Sequence, residues 1–455
     1  MEMVLEFLRD VLSQPALLIG IMSCIGLIAL KRPFHKVMTG TLKPILGYLM
    51  LAAGAGVIVN NLDPLGKMIE HGFHITGVVP NNEAIVAVAQ KVLGVETMSI
   101  LVVGLLMNLC IARFTKFKYV FLTGHHSLFM ACLMSAVLGT AGLSGMELIL
   151  VGGFLMGAWS AISPAIGQSY TSKVTDGDEI AIGHFGSLGY YLSAWVAKYV
   201  GKADDSTEDI EIPEKWGFLR DSTLSTALTM IVFYLIAAFA AGSEFVATLS
   251  GDMSPYLSAV MSAMNFAVGV TIVYSGVRMI LGDLIPAFQG IATKIIPNAI
   301  PAVDCAVFFT YAPTAVVLGF ISSFIGGIIG MLILGAVGGV LIIPGLVPHF
   351  FCGATAGIYG NATGGRRGAA VGAFLNGLAI TFLPALALPV LGQLGFQNTT
   401  FGDADFAVMG LVLGHTFEWI GMAGIYGIVA IAALVLIIPN FIKTKGKVIN
   451  YVEEE

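Results

Sequence analysis

Charged side chains are scarce in this chain. Asp, Glu, Lys and Arg make up 11% of its 455 residues, and hydrophobic residues make up 57%, whereas soluble domains are about 25% charged. A chain so poor in charge is not expected to form an ordinary soluble domain. Several uncharged runs exceed the roughly 18 residues that mark a membrane-crossing helix, and the longest covers residues 305–348. The sequence predicts an all-α polytopic membrane protein.

Motifs for enzymatic, nucleotide or metal chemistry are also absent from the sequence. The Gly-Lys pairs lack the upstream glycine of a Walker A loop, and there is no HExxH, no recognisable zinc-ligand set and no convincing nucleophile elbow. The cysteines form no CxxC pair and are interpreted as packing residues: Cys24, Cys110, Cys132, Cys305 and Cys352. The net charge of −6 includes no basic block. We therefore expect no catalytic residue, no metal, no cofactor and no nucleic-acid partner.

Apolar segments and short basic loops define the expected topology. Lys and Arg concentrate in "KRPFHK" (31–36), "RFTKFK" (113–118) and "KTKGK" (443–447), which indicates that these segments are cytoplasmic. The N-terminus is then outside and the C-terminus in the cytoplasm, so the number of crossings is odd, and eleven is expected. The candidate crossings are 15–30, 41–60, 97–114, 119–141, 146–168, 223–248, 256–276, an interrupted region at 303–391, and 418–441.

Two pairs of similar segments indicate an internal duplication. "LKPILGYLMLAA" (42–53) matches "VRMILGDLIPAF" (277–288), and "TDGDEIAIGHF" (175–185) matches "TGGRRGAAVGAF" (363–374) in the same order. Five crossings per copy plus one terminal helix give eleven. An odd number per copy makes the two copies opposite in orientation, as in many transporters.

The chain has one long, polar and charged loop, at residues 201–222. It is shorter than a domain of usual size, so any soluble chemistry has to come from another chain. The expected divisions are a first repeat at 1–200, a cytoplasmic linker at 201–222, a second repeat at 223–400, and a terminal helix with a cytoplasmic tail at 401–455.

Polar residues inside apolar segments are candidate functional residues, because each is costly in lipid. Asp304 is a lone carboxylate in "AIPAVDCAVFFTYAP"; the alternative is a satisfied helix cap. His125 begins an apolar segment and could instead be a capping or interfacial histidine, and His184 could be a loop histidine. Asn82 and Glu83, in "VVPNNEAIVAVAQ", could lie in an exposed loop.

Longer motifs carry a family resemblance. "FLTGHHS", "KVTDGDEIAIGHF", "IPAVDCAVFFTYAPTAVVLGF" and "LIIPGLVPHFFCGATAGIYGNATGGRRGA" resemble the ascorbate-type enzyme IIC permeases of the bacterial phosphotransferase system, and the similarity runs over essentially the whole chain. The resemblance implies a homodimer in the bacterial inner membrane, with two inverted five-helix repeats, a scaffold and a core domain, and an elevator-type movement. It also implies cytoplasmic enzyme IIB and IIA phosphocarriers as partners, with IIB phosphorylating the delivered sugar or sugar acid.

The resemblance also suggests site residues. The matching positions in the family's ascorbate site are His125, His184 and Asp304, whereas His126 has no family role and is interpreted as packing or interfacial. Two glutamines of the family pattern are replaced by Phe129 and Phe185.

A further difference concerns the loop before the third crossing, where a Thr-Tyr pair of the family aligns with Asn82 and Glu83. Losing two amides and gaining a carboxylate should weaken the binding of anionic ascorbate and suit a neutral sugar or polyol. The predicted function is inward transport of ascorbate or a related sugar or polyol. The alternative is an ion-coupled secondary transporter of a small polar solute that uses Asp304 or Glu83 as its proton or sodium site.

Overall fold

A computed structural model describes residues 11, 14–74, 77–78, 80, 82–177, 179–210, 222–392 and 400–441. These residues form a helical protein with one small sheet. The α-helices are α1 (Pro15–Ala29), α2 (Phe34–Gly72), α3 (Asn82–Phe114), α4 (Gly124–Thr140), α5 (Gly145–Thr175), α6 (Ser187–Val200), α7 (Ser222–Ala241), α8 (Ser243–Leu249), α9 (Pro255–Lys294), α10 (Pro313–Ala336), α11 (Leu346–Gly392), α12 (Ala404–Ile420) and α13 (Met422–Ile437). The strands are β1 (Tyr119–Phe121), β2 (Ala181–Ile182) and β3 (Ile300–Val303), and short 3-10 helices lie at Thr207–Asp209, Cys305–Thr310 and Ile438–Phe441.

The helices confirm a polytopic membrane protein. Among the described residues, seven helices are long and apolar enough to cross a bilayer, and an eighth span is possible if a bent pair is counted as one. That pair is α7 and α8, which meet at 118°, so the expected single crossing at 223–248 is bent near its end. The expected crossing at 418–441 is also broken, because α12 ends at Ile420 and α13 begins at Met422.

The long helices α2 and α9 pack closely through reciprocal glycines. A Cβ on Gly47 would lie 2.8 Å from the carbonyl oxygen of Gly276, and one on Gly54 would lie 2.7 Å from that of Gly269. Small residues allow such close approach between helices in lipid, where packing drives helix association. The matched Ile-Leu-Gly triplets do not have matching surroundings, since a Cβ on Gly282 would meet nothing within 4 Å.

The helix α11 is kinked where the first part of the polar loop contacts it. Gly364 and Gly365 have non-helical backbone angles, and Gly365 has a φ of 61°. The Asp205 carbonyl accepts a hydrogen bond from Arg366 N at 2.7 Å, and its carboxylate pairs with the Arg366 guanidinium at 2.6 Å. A Cβ on Gly365 would lie 2.3 Å from the Asp205 and Lys202 carbonyl oxygens. The backbone at the kink therefore leaves room only for glycine; residues 211–221 of the loop lie outside the described residues.

A three-stranded parallel sheet interrupts the helices, in the order β1-β3-β2. Val120 pairs with Pro301, and Ile182 pairs with Val303. All residues of the three strands are buried. Non-helical backbone at membrane depth is tolerated only where protein covers it or a cavity adjoins it. The sheet meets that condition because its backbone groups bond to one another and its side chains are covered by helices.

Candidate functional site

The parallel sheet determines where three of the predicted site residues lie. Within four residues of the end of each strand comes a polar side chain: His125 after β1, His184 after β2 and Asp304 after β3. Because the strands are parallel, their carboxyl ends share one edge of the sheet. Residues separated by up to 179 positions in the sequence are thereby brought to one place.

A hydrogen-bonded chain connects Tyr48 of α2 to Asp304. The Tyr48 hydroxyl lies 3.2 Å from Nδ1 of His125, and Nε2 of His125 lies 3.4 Å from Oδ2 of Asp304. The other carboxylate oxygen of Asp304 accepts a bond from the Ala306 N–H at 3.1 Å. A His125 that accepts from Tyr48 and donates to Asp304 satisfies all of these contacts. Asp304 is thus both a helix cap and the acceptor for His125, so the two interpretations of this residue hold together.

His184 is fixed by its own loop and by α6. Its Nδ1 accepts a hydrogen bond from the Gly186 N–H at 3.1 Å and lies 2.8 Å from the Tyr190 hydroxyl. A backbone N–H can only donate, so Nδ1 is an acceptor and the neutral ring carries its proton on Nε2. That N–H is the group His184 can offer to a hydroxyl-bearing ligand.

His126 is a buried packing residue next to this group. Its ring centroid lies 3.8 Å from that of His184, and its ring is stacked on Phe406 at 5.6 Å. The Phe185 N–H points to its Nδ1 at 3.4 Å. The contacts of His126 therefore hold the His184 loop against α4 and α12.

A second polar group, which the sequence predictions did not include apart from Asn82, centres on Asp403. The amide of Asn82 donates to Oδ2 of Asp403 at 2.6 Å and accepts from the Gly402 N–H at 2.9 Å, and the Cys352 thiol donates to Oδ1 of Asp403 at 2.7 Å. Asp403 immediately precedes α12. A lone buried acid at the start of an apolar helix, as in "FGDADFAVMG", is the sequence signal that could have identified it.

The two polar groups are contiguous through His184. One set of ligand atoms, from His184, Asp304 and Cys305, lies within 4.8 Å, and so does a second set from His184, Cys352 and Asp403. All five residues are buried. The structure thus brings four of the predicted residues, His125, His184, Asp304 and Asn82, into one cluster. Searching the sequence for linear metal motifs could not detect these sets, because their members come from separate segments.

The remaining predicted residues have different surroundings. Phe129 is 9% exposed, and its ring lies edge-on to His125 at 5.8 Å. Phe185 is completely buried and is stacked on Phe121 at 4.6 Å. Phe129 therefore borders the polar cluster, whereas Phe185 belongs to the aromatic packing behind it. Glu83 lies in α3, but its side chain is outside the described residues.

The chemistry of this cluster is that of a ligand-binding site for hydroxyl groups. Two carboxylates supply acceptors, and histidine N–H groups and an amide supply donors, at the interruption of several membrane helices. The model for the family described as "PTS system sugar-specific permease component" (EIIC-GAT) matches residues 10–405. The chain belongs to this permease family. The resemblance read from its motifs is thereby confirmed.

The permease is also similar to a curated relative. That protein is the "Ascorbate-specific PTS system EIIC component" of Mycoplasma pneumoniae, with 28% identity over 417 residues, which cover 78% of this chain and 62% of the relative. The permease therefore spans less than two thirds of that relative's length. All cluster residues from Tyr48 to Asp403 lie within the range that the family model matches.

Proposed function

We propose that this permease carries ascorbate or a related sugar or polyol inward, for phosphorylation by a separate cytoplasmic enzyme IIB that is recharged by enzyme IIA. The observation that supports it is the buried polar cluster at the strand ends, inside a chain of the sugar-specific permease family. Hydroxyl groups can be paired there by both acceptors and donors, which is what a polyhydroxy solute requires.

Within that class, the charges of the cluster favour a neutral solute. Asp304 and Asp403 both approach His184, and the cationic partner of Asp304 among the described ion pairs is a histidine rather than a lysine or arginine. An anionic substrate would face two carboxylates without a fixed positive charge, and like charges at short range in a low-dielectric site repel strongly. Sugars and polyols carry no such penalty, so we place them ahead of ascorbate.

The proposed architecture has two inverted repeats, a scaffold, a core that moves as an elevator, and eleven crossings in a homodimer. The glycine contacts of α2 and α9 support a repeat interval of 222 residues, because Gly269 follows Gly47 and Gly276 follows Gly54 by that interval, while Gly47 contacts Gly276 and Gly54 contacts Gly269. A pseudo-two-fold axis between the copies would exchange these two contacts. The similar segments read from the sequence are 235 and 188 residues apart, so neither pair has this interval.

The proposed location is the bacterial inner membrane, with the N-terminus outside and the C-terminus in the cytoplasm. The basic loops support this orientation. So does the contact between Lys116 N and Asn440 Oδ1 at 2.9 Å, because it joins a basic loop to the segment that precedes the basic tail.

An ion-coupled secondary transporter is a second candidate, and the pair of buried carboxylates around His184 favours it. A proton or sodium ion could neutralise one of them. The two candidates differ in their requirement for a phosphoprotein. We expect uptake in vesicles to require phosphorylated IIB and to release a phosphorylated product; uptake of unmodified solute driven by an ion gradient alone would support the second candidate.

The substrate class is tested by direct binding. We expect the purified permease in detergent to bind a neutral pentose, hexose or polyol more tightly than ascorbate in a calorimetric panel. Tighter binding of ascorbate than of every neutral compound would contradict the charge argument while leaving the permease assignment intact.

A further inference from the structure

Two sets of metal-type donors share His184 in the centre of the polar cluster. A ring nitrogen of His184, Sγ of Cys352 and a carboxylate oxygen of Asp403 lie within 4.8 Å of one another, and all three residues are buried. Imidazole nitrogen, thiolate sulfur and carboxylate oxygen are the protein ligands of zinc. We propose that His184, Cys352 and Asp403 bind one zinc-class divalent cation, such as Zn²⁺, Cd²⁺ or Co²⁺.

This set is favoured over the one with Asp304 and Cys305 by the bonds already present. Both oxygens of Asp304 have other partners, His125 and the Ala306 N–H. Oδ1 of Asp403, in contrast, accepts from the Cys352 thiol at 2.7 Å. A metal ion replaces that thiol proton, which leaves to solvent, and the freed oxygen and sulfur become ligands.

The distances require only a small contraction. Zinc ligands lie about 2.0 to 2.3 Å from the metal, so tetrahedral donors are separated by about 3.3 to 3.8 Å. Donor atoms that now lie within 4.8 Å need to approach by about 1 Å. Side-chain rotation supplies such a shift without moving the helices.

Outer partners are present for two of the ligands. Metal-bound histidines and carboxylates are normally held by further hydrogen bonds. Here the Tyr190 hydroxyl lies 2.8 Å from Nδ1 of His184, and Asn82 donates to Oδ2 of Asp403 at 2.6 Å. Each contact restricts the orientation of a proposed ligand before the metal arrives.

The charges also match a divalent cation. A Cys352 thiolate with the Asp403 carboxylate carries two negative charges, and no lysine or arginine pairs with Asp403 among the ion pairs of the described residues. Three protein ligands leave a fourth position open, as in zinc sites that exchange ligands. A bound cation would lie among the groups proposed for the solute and compete with it; the competition depends on the proposed function, whereas metal binding does not.

The test uses the full chain in detergent, titrated with Co²⁺. We expect one cobalt per chain, a sulfur-to-cobalt charge-transfer band and displacement by Zn²⁺. Cys352→Ser should abolish the band, whereas Cys305→Ser and Cys110→Ser, the latter at an exposed cysteine, should keep it. Asn82→Ala should weaken binding about 10- to 100-fold, as loss of an outer partner does.

Several results would overturn the proposal. The wild-type chain could show no charge-transfer band, the band could persist in Cys352→Ser, or it could disappear in Cys305→Ser, which would move the site to the other set. If Cys352→Ser gives no monodisperse protein, Asp403→Asn replaces it, and unchanged cobalt affinity in that variant counts against the site. Zinc binding without inhibition of solute binding would leave the metal site standing and contradict the overlap with the solute site.

Discussion

The change Asp304→Asn tests the proposed solute site at one oxygen atom. Asparagine keeps an oxygen that can accept from the Ala306 N–H, which Oδ1 of Asp304 now does at 3.1 Å. Its amide nitrogen, however, replaces the oxygen that lies 3.4 Å from Nε2 of His125. Two N–H donors then face each other, and a solute hydroxyl that donated to the carboxylate loses its acceptor.

The expected magnitude follows from that loss. Leaving a buried hydrogen-bonding group unpaired costs about 1 to 3 kcal/mol, which corresponds to a roughly 5- to 150-fold weaker affinity. The measurement is isothermal titration calorimetry of the purified protein with the solute that binds best to the wild-type chain. Equal melting temperatures of variant and wild type in detergent would show that folding is intact.

The matched control is Asp283→Asn. Asp283 also carries a carboxylate in a membrane helix, but it pairs with Lys43 at 3.6 Å and lies on α9 away from the cluster. This control should leave affinity within about twofold, since its contact is a partly exposed ion pair of small worth. Unchanged affinity in Asp304→Asn, with the control also unchanged, would refute the assignment of Asp304 to the solute site.

Four further outcomes are expected. Cysteines introduced at Lys36 and Lys116 should react with impermeant reagents only from the cytoplasmic side; labelling in intact cells from outside would reverse the topology. Under phosphotransferase conditions no stable phosphorylated form of this chain should appear in mass spectra, because phosphoryl transfer is assigned to partner proteins. Phe129→Gln together with Phe185→Gln should raise the affinity for ascorbate relative to the best neutral solute; if calorimetry finds no change, the two rings lie outside the pocket. Gly276→Ala should lower the melting temperature, because its Cβ would lie 2.6 Å from the Gly47 carbonyl oxygen, and a melting curve like that of the wild type would mean that the two helices can separate slightly.

Much of the fold class and part of the site could be predicted from the sequence. Scarce charge and long apolar runs are sufficient to predict membrane helices, because burial in lipid is decided by composition. Asp304 and His184 could be singled out because a polar residue in an apolar segment is costly and needs a partner. The identity of those partners could not be predicted, since Tyr48 and Tyr190 are ordinary residues of apolar helices until the fold places their hydroxyls against histidine nitrogens.

Asp403 and Phe185 show the limits of that reasoning from opposite sides. Asp403 was overlooked because attention to family motifs ended before the last apolar segments, although its contacts with Asn82 and Cys352 are as short as any in the cluster. Phe185 was assigned to the pocket because it directly follows His184, but alternate residues of an extended segment point in opposite directions. Its ring is stacked on Phe121 instead.

The strand order has a consequence for how this chain is made in the cell. β1 and β2 do not pair with each other; each pairs with β3, which lies between them in the sheet and is synthesised last, with 117 residues between the end of β2 and its start. Until β3 emerges from the ribosome, the backbone groups of β1 and β2 lack their sheet partners within the membrane, where unpaired groups are costly. The first half must therefore wait for the second, and a chain interrupted before residue 300 should be recognised as unfinished and degraded rather than persist as half a transporter.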